Sequence, residues 1–299
     1  MKLSLAVVCL VFSLSAWGQE RGLPGLDDLI RRAEQGMANA QYSLGVTYAF
    51  GEGVSKDYAE AAKWYRLAAE QGHAAAQFRL GSLYYIGRGV PRDNDAADKW
   101  WLLSAENGDS HAAFRLGVKY NNRSNYAEAF KWYLLSAERG NVNAQFSVGR
   151  RYENGQGVPE DDAEAVKWYR IAAERGYALA QLNLGAMYES GRGVSKDVDQ
   201  AVKWYRLGAQ QGNANAQARL GMAYAVGAGA PLDDVEAYMW LSLAASSAYA
   251  KLVGEDTASL FPERRSEVAG RMTPQQRAEA ERLARQWKPK TWYELQESE

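Results

Sequence analysis

The stretch Ala38–Gly72, ANAQYSLGVTYAFGEGVSKDYAEAAKWYRLAAEQG, decides the fold. It returns with substitutions from Ala74, Ala112, Val142, Ala178 and Ala214. The copies share an Ala-Gln, a Leu-Gly, a Tyr, a Gly-x-Gly-Val, an Asp, a Lys-Trp-Tyr, a small-residue pair and a closing Gly. Self-similarity at this period makes each copy one supersecondary unit of a repeat array.

Within one copy, Ala40, Leu44 and Tyr48 are four residues apart and share one helical face. Gly45 sits beside Leu44, and glycine weakens a helix relative to alanine. Its recurrence at Gly81, Gly117, Gly149, Gly185 and Gly221 therefore points to a close approach of another element. Gly51-Glu52-Gly53 is a turn. Asp57 is placed to cap a second helix, with Glu60 completing a capping box. The same spacing returns at Asn125 with Glu128, Asp161 with Glu164 and Asp233 with Glu236. Ala61, Trp64, Tyr65, Ala68 and Ala69 make the apolar face of that second helix, and Gly72 is its left-handed stop. A single hairpin cannot bury both faces, so the units must stack. The Trp column (Trp64, Trp100, Trp132, Trp168, Trp204, Trp240) is expected in the core, where truncation of Trp168 to Ala would cost about 3–5 kcal/mol.

This pattern resembles the Sel1-like repeat, a relative of the tetratricopeptide repeat with a longer turn, over Ala38 to Ser247. The resemblance implies an all-α, α/α superhelical solenoid of helix–turn–helix repeats with terminal capping helices. The expected divisions are a signal peptide at 1–18, an N-terminal capping helix at 19–37 and repeats at 38–72, 73–108, 109–140, 141–176, 177–212 and 213–247. Capping helices and a tail follow at 248–299. The third repeat replaces its Gly-x-Gly-Val turn with the shorter Asn121–Asn125. The sixth exchanges Lys-Trp-Tyr for Met239-Trp240-Leu241, an apolar outer face that something must cover. The C-terminal region is the candidate: helical stretches interrupted near Phe261-Pro262, then Thr273-Pro274 opening a helix with Ala278, Leu283 and Trp287 inward. Residues from Lys288 to Glu299 read as a frayed polar end.

Lys2, the apolar run Leu3–Leu14 and the small-x-small Ala16-Trp17-Gly18 read as a secretory signal cleaved near Gly18. The mature chain is then periplasmic or secreted, without membrane insertion. Cys9, the only cysteine, lies in that signal, so no intrachain disulfide or thiol chemistry is expected. A formal net charge of -1 argues against a nucleic-acid or polybasic membrane binder.

No catalytic set stands out. His73 and His111, the only histidines, each follow shortly after a repeat-closing Gly and read as capping or solvated residues. Asp57, Asp93, Asp161, Asp197 and Asp233 occur one to a repeat, which suits helix caps better than paired acid–base carboxylates. No metal ligand set and no cofactor motif is present. The expectation is a non-enzymatic scaffold or adaptor of the bacterial envelope that binds a protein or peptide partner on its concave surface. Two alternatives stand beside it. One is a β-lactamase-like hydrolase, as described for cysteine-rich Sel1-like proteins, whose stapling cysteines this chain lacks. The other is a periplasmic sensor of a peptide or cell-wall fragment. The candidate binding residues lie on the first helices of repeats two to four: Phe78, Arg79, Phe114, Arg115, Phe146, Arg150 and Arg151. Aromatic anchors beside Arg are the composition of a binding hot spot and favour an apolar, acidic partner segment.

Overall fold

The computed structural model describes residues 25–246 and 255–297. The expected signal peptide, its cleavage point and Cys9 lie outside the described residues. All described regular structure is α-helical. Helix α1 (Leu26–Glu34) precedes six helical hairpins: α2 (Ala38–Phe50) with α3 (Tyr58–Glu70), α4 (Ala74–Ile86) with α5 (Asn94–Glu106), α6 (Ser110–Asn122) with α7 (Tyr126–Glu138), α8 (Val142–Glu153) with α9 (Asp162–Glu174), α10 (Ala178–Ser190) with α11 (Val198–Gln210), and α12 (Ala214–Val226) with α13 (Asp234–Ser246). Helices α14 (Glu255–Arg271), α15 (Pro274–Gln286) and α16 (Trp292–Gln296) follow. The fold is an all-α solenoid of helix–turn–helix repeats with capping helices at its ends. The helices gather into two compact units, one ending at Leu116 and the other beginning at Gly117.

The same physics recurs in both units. The recurring Gly of each first helix meets the residue after the second-helix Trp, an aromatic in the first five repeats and Leu241 in the sixth. A Cβ on Gly45 would lie 2.6 Å from the Tyr65 ring, and one on Gly149 would lie 2.7 Å from Tyr169. Only glycine leaves room for that ring, which accounts for its recurrence inside a helix where alanine would be intrinsically better. Tyr65, Tyr169 and Tyr205 are accordingly 0–2% exposed. This corrects the expectation for the Trp column. Trp64, Trp100, Trp132, Trp168 and Trp204 are half-buried, and of that column only Trp240 is buried. The tyrosine, one residue further along the helix, points into the hairpin and displaces its neighbour toward the rim.

Caps set the hairpin ends. Asp57, Asp93, Asp161, Asp197 and Asp233 each accept from first-turn amides of the following helix. The reciprocal half of the capping box does not follow from Asp57, Asn125 or Asp161, because Glu60, Glu128 and Glu164 pair instead with Lys63, Lys131 and Lys167. At the other end Gly72 has φ 84°, its N–H donates to Ala69 and that of His73 to Ala68. This is a Schellman closure.

Three kinds of contact stitch one repeat to the next. The Gln of Ala-Gln is buried and donates to a carbonyl near the end of the preceding helix, as Gln77 Nε2 does to Ala69 at 2.9 Å and Gln181 to Ala173 at 3.1 Å. The second Gly of the turn lies against the start of the preceding second helix: a Cβ on Gly89 would fall 2.1 Å from the Tyr58 carbonyl oxygen. Arg170 and Arg206 donate to the hydroxyls of Tyr188 and Tyr224 one repeat on, at 2.8 and 3.0 Å. In the third repeat the short turn requires a left-handed residue without glycine, and Ser124 takes it with φ 57°.

At the C-terminus Tyr238, Met239, Trp240 and Leu241 are buried, and α14 and α15 pack on α13. The cover expected for the apolar outer face is thus the C-terminal region. Three details differ from expectation. Helix α14 runs through Pro262 without a break. Ala280, not Ala278, is the buried alanine of α15, while Leu283 and Trp287 pack against the core as expected, with Trp287 edge-on to Trp240. Residues 288–297 are tied to the fold instead of fraying. Thr291 forms a complete capping box with Glu294, Leu295 is buried, and the Lys290 N–H donates to the Gln210 carbonyl at 2.8 Å.

Candidate partner-binding surface

The column one residue after Ala-Gln sits on the first helices. Tyr42, Phe78, Phe114, Phe146 and Leu182 are half-buried, and Ala218 is buried. Each ring with a described contact packs against a residue shortly after the closing glycine, where the next repeat opens, or against the buried second-helix Tyr of its own repeat. Tyr42 stacks on His73 with centroids 4.7 Å apart, Phe78 lies 5.9 Å from His111, and Phe146 lies 5.2 Å from Tyr177 and 5.7 Å from Tyr169. The column is therefore part packing and part surface.

The histidines belong to this packing. His73 Nδ1 accepts from the Ala76 amide at 3.2 Å, and burial pushes its pKa below the ordinary imidazole range. His111 is exposed.

Among the arginines, Arg79, Arg115 and Arg150 are exposed. Arg219 has the same register as Arg79 and Arg115, and it reaches Glu189 of the preceding repeat at 3.1 Å. The positions matching Glu189 for Arg79 and Arg115 are Ala49 and Tyr85, which offer no carboxylate. Glu153, three residues from Arg150, accepts from the Tyr169 hydroxyl and lies 3.4 Å from Arg192. Its carboxylate is thus engaged by Tyr169 and Arg192. Burial first, then the Glu153 hydrogen bond, push the Tyr169 phenol far above its usual range, so it remains a donor.

Arg151 differs from the others and corrects its inclusion among the surface residues. It is 7% exposed, its guanidinium donates to Asn121 and to Gln156 at 2.6 Å, and it lies over the rings of Tyr126 and Tyr133. Its neighbours in register are Thr47, Leu83 and Met187, all buried. Arg151 therefore fills the space beside the short Asn121–Asn125 turn. Its partner Asn121 belongs to that atypical turn, which is the one sequence signal that could have marked the residue as structural. The candidates fall in both units: Phe78, Arg79, Phe114 and Arg115 in the first, Phe146, Arg150 and Arg151 in the second.

The second unit also has a cavity of about 270 Å³ beside Tyr205, Met222, Val226 and Val268. Its charged rim is already paired, Arg219 with Glu189, Arg264 with Glu267 and Arg271 with Asp234. Among the described residues no group of His, Cys, Asp or Glu could hold a metal ion, and no helix is long and apolar enough to cross a membrane.

The Sel1 repeat family model matches residues 38–73, 74–109, 110–141, 142–177, 178–213 and 214–249. The chain belongs to the Sel1 repeat family. A Sel1 repeat protein from Oxalobacter formigenes is 32% identical, with 80% of this chain and 96% of that one covered and a TM-score of 0.63. A protective antigen present in uropathogenic Escherichia coli strains, displaying an SLR fold, is 31% identical with a TM-score of 0.57. That match covers 91% of this chain, which spans 66% of the antigen's length. No curated protein matches the chain. The Sel1 repeat is a scaffold fold that serves protein–protein interaction, and six copies of it build this chain.

Proposed function

We propose that the protein is an envelope scaffold, periplasmic or secreted, that holds an apolar, acidic segment of a protein partner on the concave surface of its first helices. The observation that carries this reading is the exposure of Arg79, Arg115 and Arg150 beside half-buried Phe78, Phe114 and Phe146. Arg79 and Arg115 lack the carboxylate that Arg219 has in the same register. A cation kept apart from neighbouring carboxylates, next to an aromatic edge, suits recognition of a carboxylate-bearing chain. The location rests on the basic, apolar and small-x-small order of residues 1–18.

The test uses the exported full chain with a photo-crosslinking residue at Ser147, between Phe146 and Arg150. A specific crosslinked partner should form in the envelope fraction. Phe146→Ala with Arg150→Glu, and separately Phe78→Ala with Arg79→Glu, should each weaken capture by about tenfold or more. Both double variants should stay folded, with a melting temperature lowered only by the lost ring packing. Capture undiminished in both folded variants would remove the site from the first helices.

A further inference from the structure

The turn that closes each repeat forms a second surface, independent of the first helices. Its features are a left-handed glycine without a side chain and the open carbonyl end of a second helix, where the helix dipole is negative. In the second unit the chain covers these turns itself. Arg175 Nη1 donates to the Gly140 carbonyl at 2.7 Å. Trp292 packs on Gly176, where a Cβ would come within 2.2 Å of its ring. Pro289 and Trp287 lie over Gly212, and the Lys290 amide takes the Gln210 carbonyl. The segment Trp287-Lys288-Pro289-Lys290-Thr291-Trp292 thus binds two successive turns in cis.

The same turns in the first unit are bare among the described residues. A Cβ on Gly72 or Gly108 would meet no heavy atom within 4 Å. The carbonyls of Glu70 and Glu106, which match that of Gln210, accept no backbone hydrogen bond among the described residues. Leu67 and Leu103, on the turn of helix just before, are 44% and 42% exposed. Glu70 and Glu106 themselves are exposed and add negative charge to the helix ends, as Glu138 and Glu174 do in the second unit, where only the last copy has the neutral Gln210.

We propose that Gly72 and Gly108 are docking seats for an extended, basic segment of a partner protein that carries Pro and Trp, bound in trans as residues 287–292 are bound in cis. Tryptophan would lie on a bare glycine, a backbone amide would take a helix-end carbonyl, and lysines would face Glu70 and Glu106. The cis segment supplies the geometry, and the two glutamates supply the preference for a basic partner.

The experiment titrates a fluorescent peptide with the sequence of residues 286–297 against the full chain, followed by anisotropy. Saturable binding is expected. It should weaken about tenfold or more in Glu70→Lys with Glu106→Lys, both exposed positions, and similarly when the peptide's second Trp is replaced by Ala. A Gly108→Asn chain, which keeps a residue tolerant of the left-handed region, gives a second variant in which the seat is filled and binding falls. Three results overturn the proposal: no saturable binding, binding indifferent to the Glu70/Glu106 and Gly108 variants, or binding seen only when Trp292→Ala frees the cis turns.

Discussion

The two units of this protein are built on the same kind of core contact and differ at their edges. Gly45 against Tyr65 in the first unit and Gly149 against Tyr169 in the second are the same contact to within 0.1 Å. The closing turns are not equivalent: Arg175, Trp292 and Pro289 cover Gly140, Gly176 and Gly212, whereas Gly72 and Gly108 are bare. The charges follow suit. Arg192 and Arg219 of the second unit pair with Glu153 and Glu189, while Ala49 and Tyr85 stand opposite Arg79 and Arg115. In a repeat array the core residues define the unit, and the side chains that differ among copies define what each copy can touch. The C-terminal copies serve the cap. The N-terminal copies keep arginines, glycine seats and helix-end carbonyls open to solvent.

The largest expected effect tests the shared half of that comparison. Tyr65→Ala and Tyr169→Ala should each destabilise by about 3–5 kcal/mol, because each empties a fully enclosed ring site. Urea unfolding should return similar losses for both, and a loss below about 1 kcal/mol at either would break the equivalence of the cores. Trp292→Ala addresses the difference and should cost about 2 kcal/mol in the second unit, since its half-buried ring leaves a smaller void. Limited proteolysis should then cut the chain after Trp287, where the wild type resists.

Paired glycine substitutions sharpen the contrast further. Gly72→Asn should cost less than about 1 kcal/mol, because asparagine tolerates the left-handed region and the seat is empty. Gly176→Asn should cost about 1–3 kcal/mol more by driving a side chain into Trp292. Equal melting temperatures for the two would mean that Trp292 does not sit on Gly176. The smallest effect concerns His73. Its folded pKa lies below the unfolded value of about 6.5, so the unfolded chain binds protons more readily in that range. Its contribution is fully present above about pH 6.5 and is lost as pH falls toward the folded pKa. His73→Asn keeps a capping side chain and removes the titration, so its melting temperature should fall slightly less than that of wild type between pH 7.5 and 5.

Much of the hairpin was legible in the sequence because recurrence does the work of comparison. Gly45 repeated beside Leu44 announced a close approach, and Asp57, Asp93 and Asp161 announced helix starts. Which neighbour the glycine serves was not legible. Trp64 and Tyr65 are adjacent, both aromatic and both near the apolar face, and only the rotation of the packed helix places Tyr65 inside. Arg151 was misread for a related reason. A guanidinium at a buried register makes sense only once Asn121, thirty residues earlier, lies beside it. The end of the chain was hardest. Lys288-Pro289-Lys290 has the composition of a frayed terminus, and its order comes from turns that lie between 70 and 120 residues earlier in the sequence.

The most direct measurement of this account is hydrogen exchange over residues 288–296 in the full chain. The account predicts protection of the Lys290 amide, held by the Gln210 carbonyl, and loss of that protection in Trp292→Ala while repeats one and two exchange as before. Exchange of the wild-type segment at the rate of a free peptide would contradict it: the turns at Gly176 and Gly212 would then be as open as those at Gly72 and Gly108.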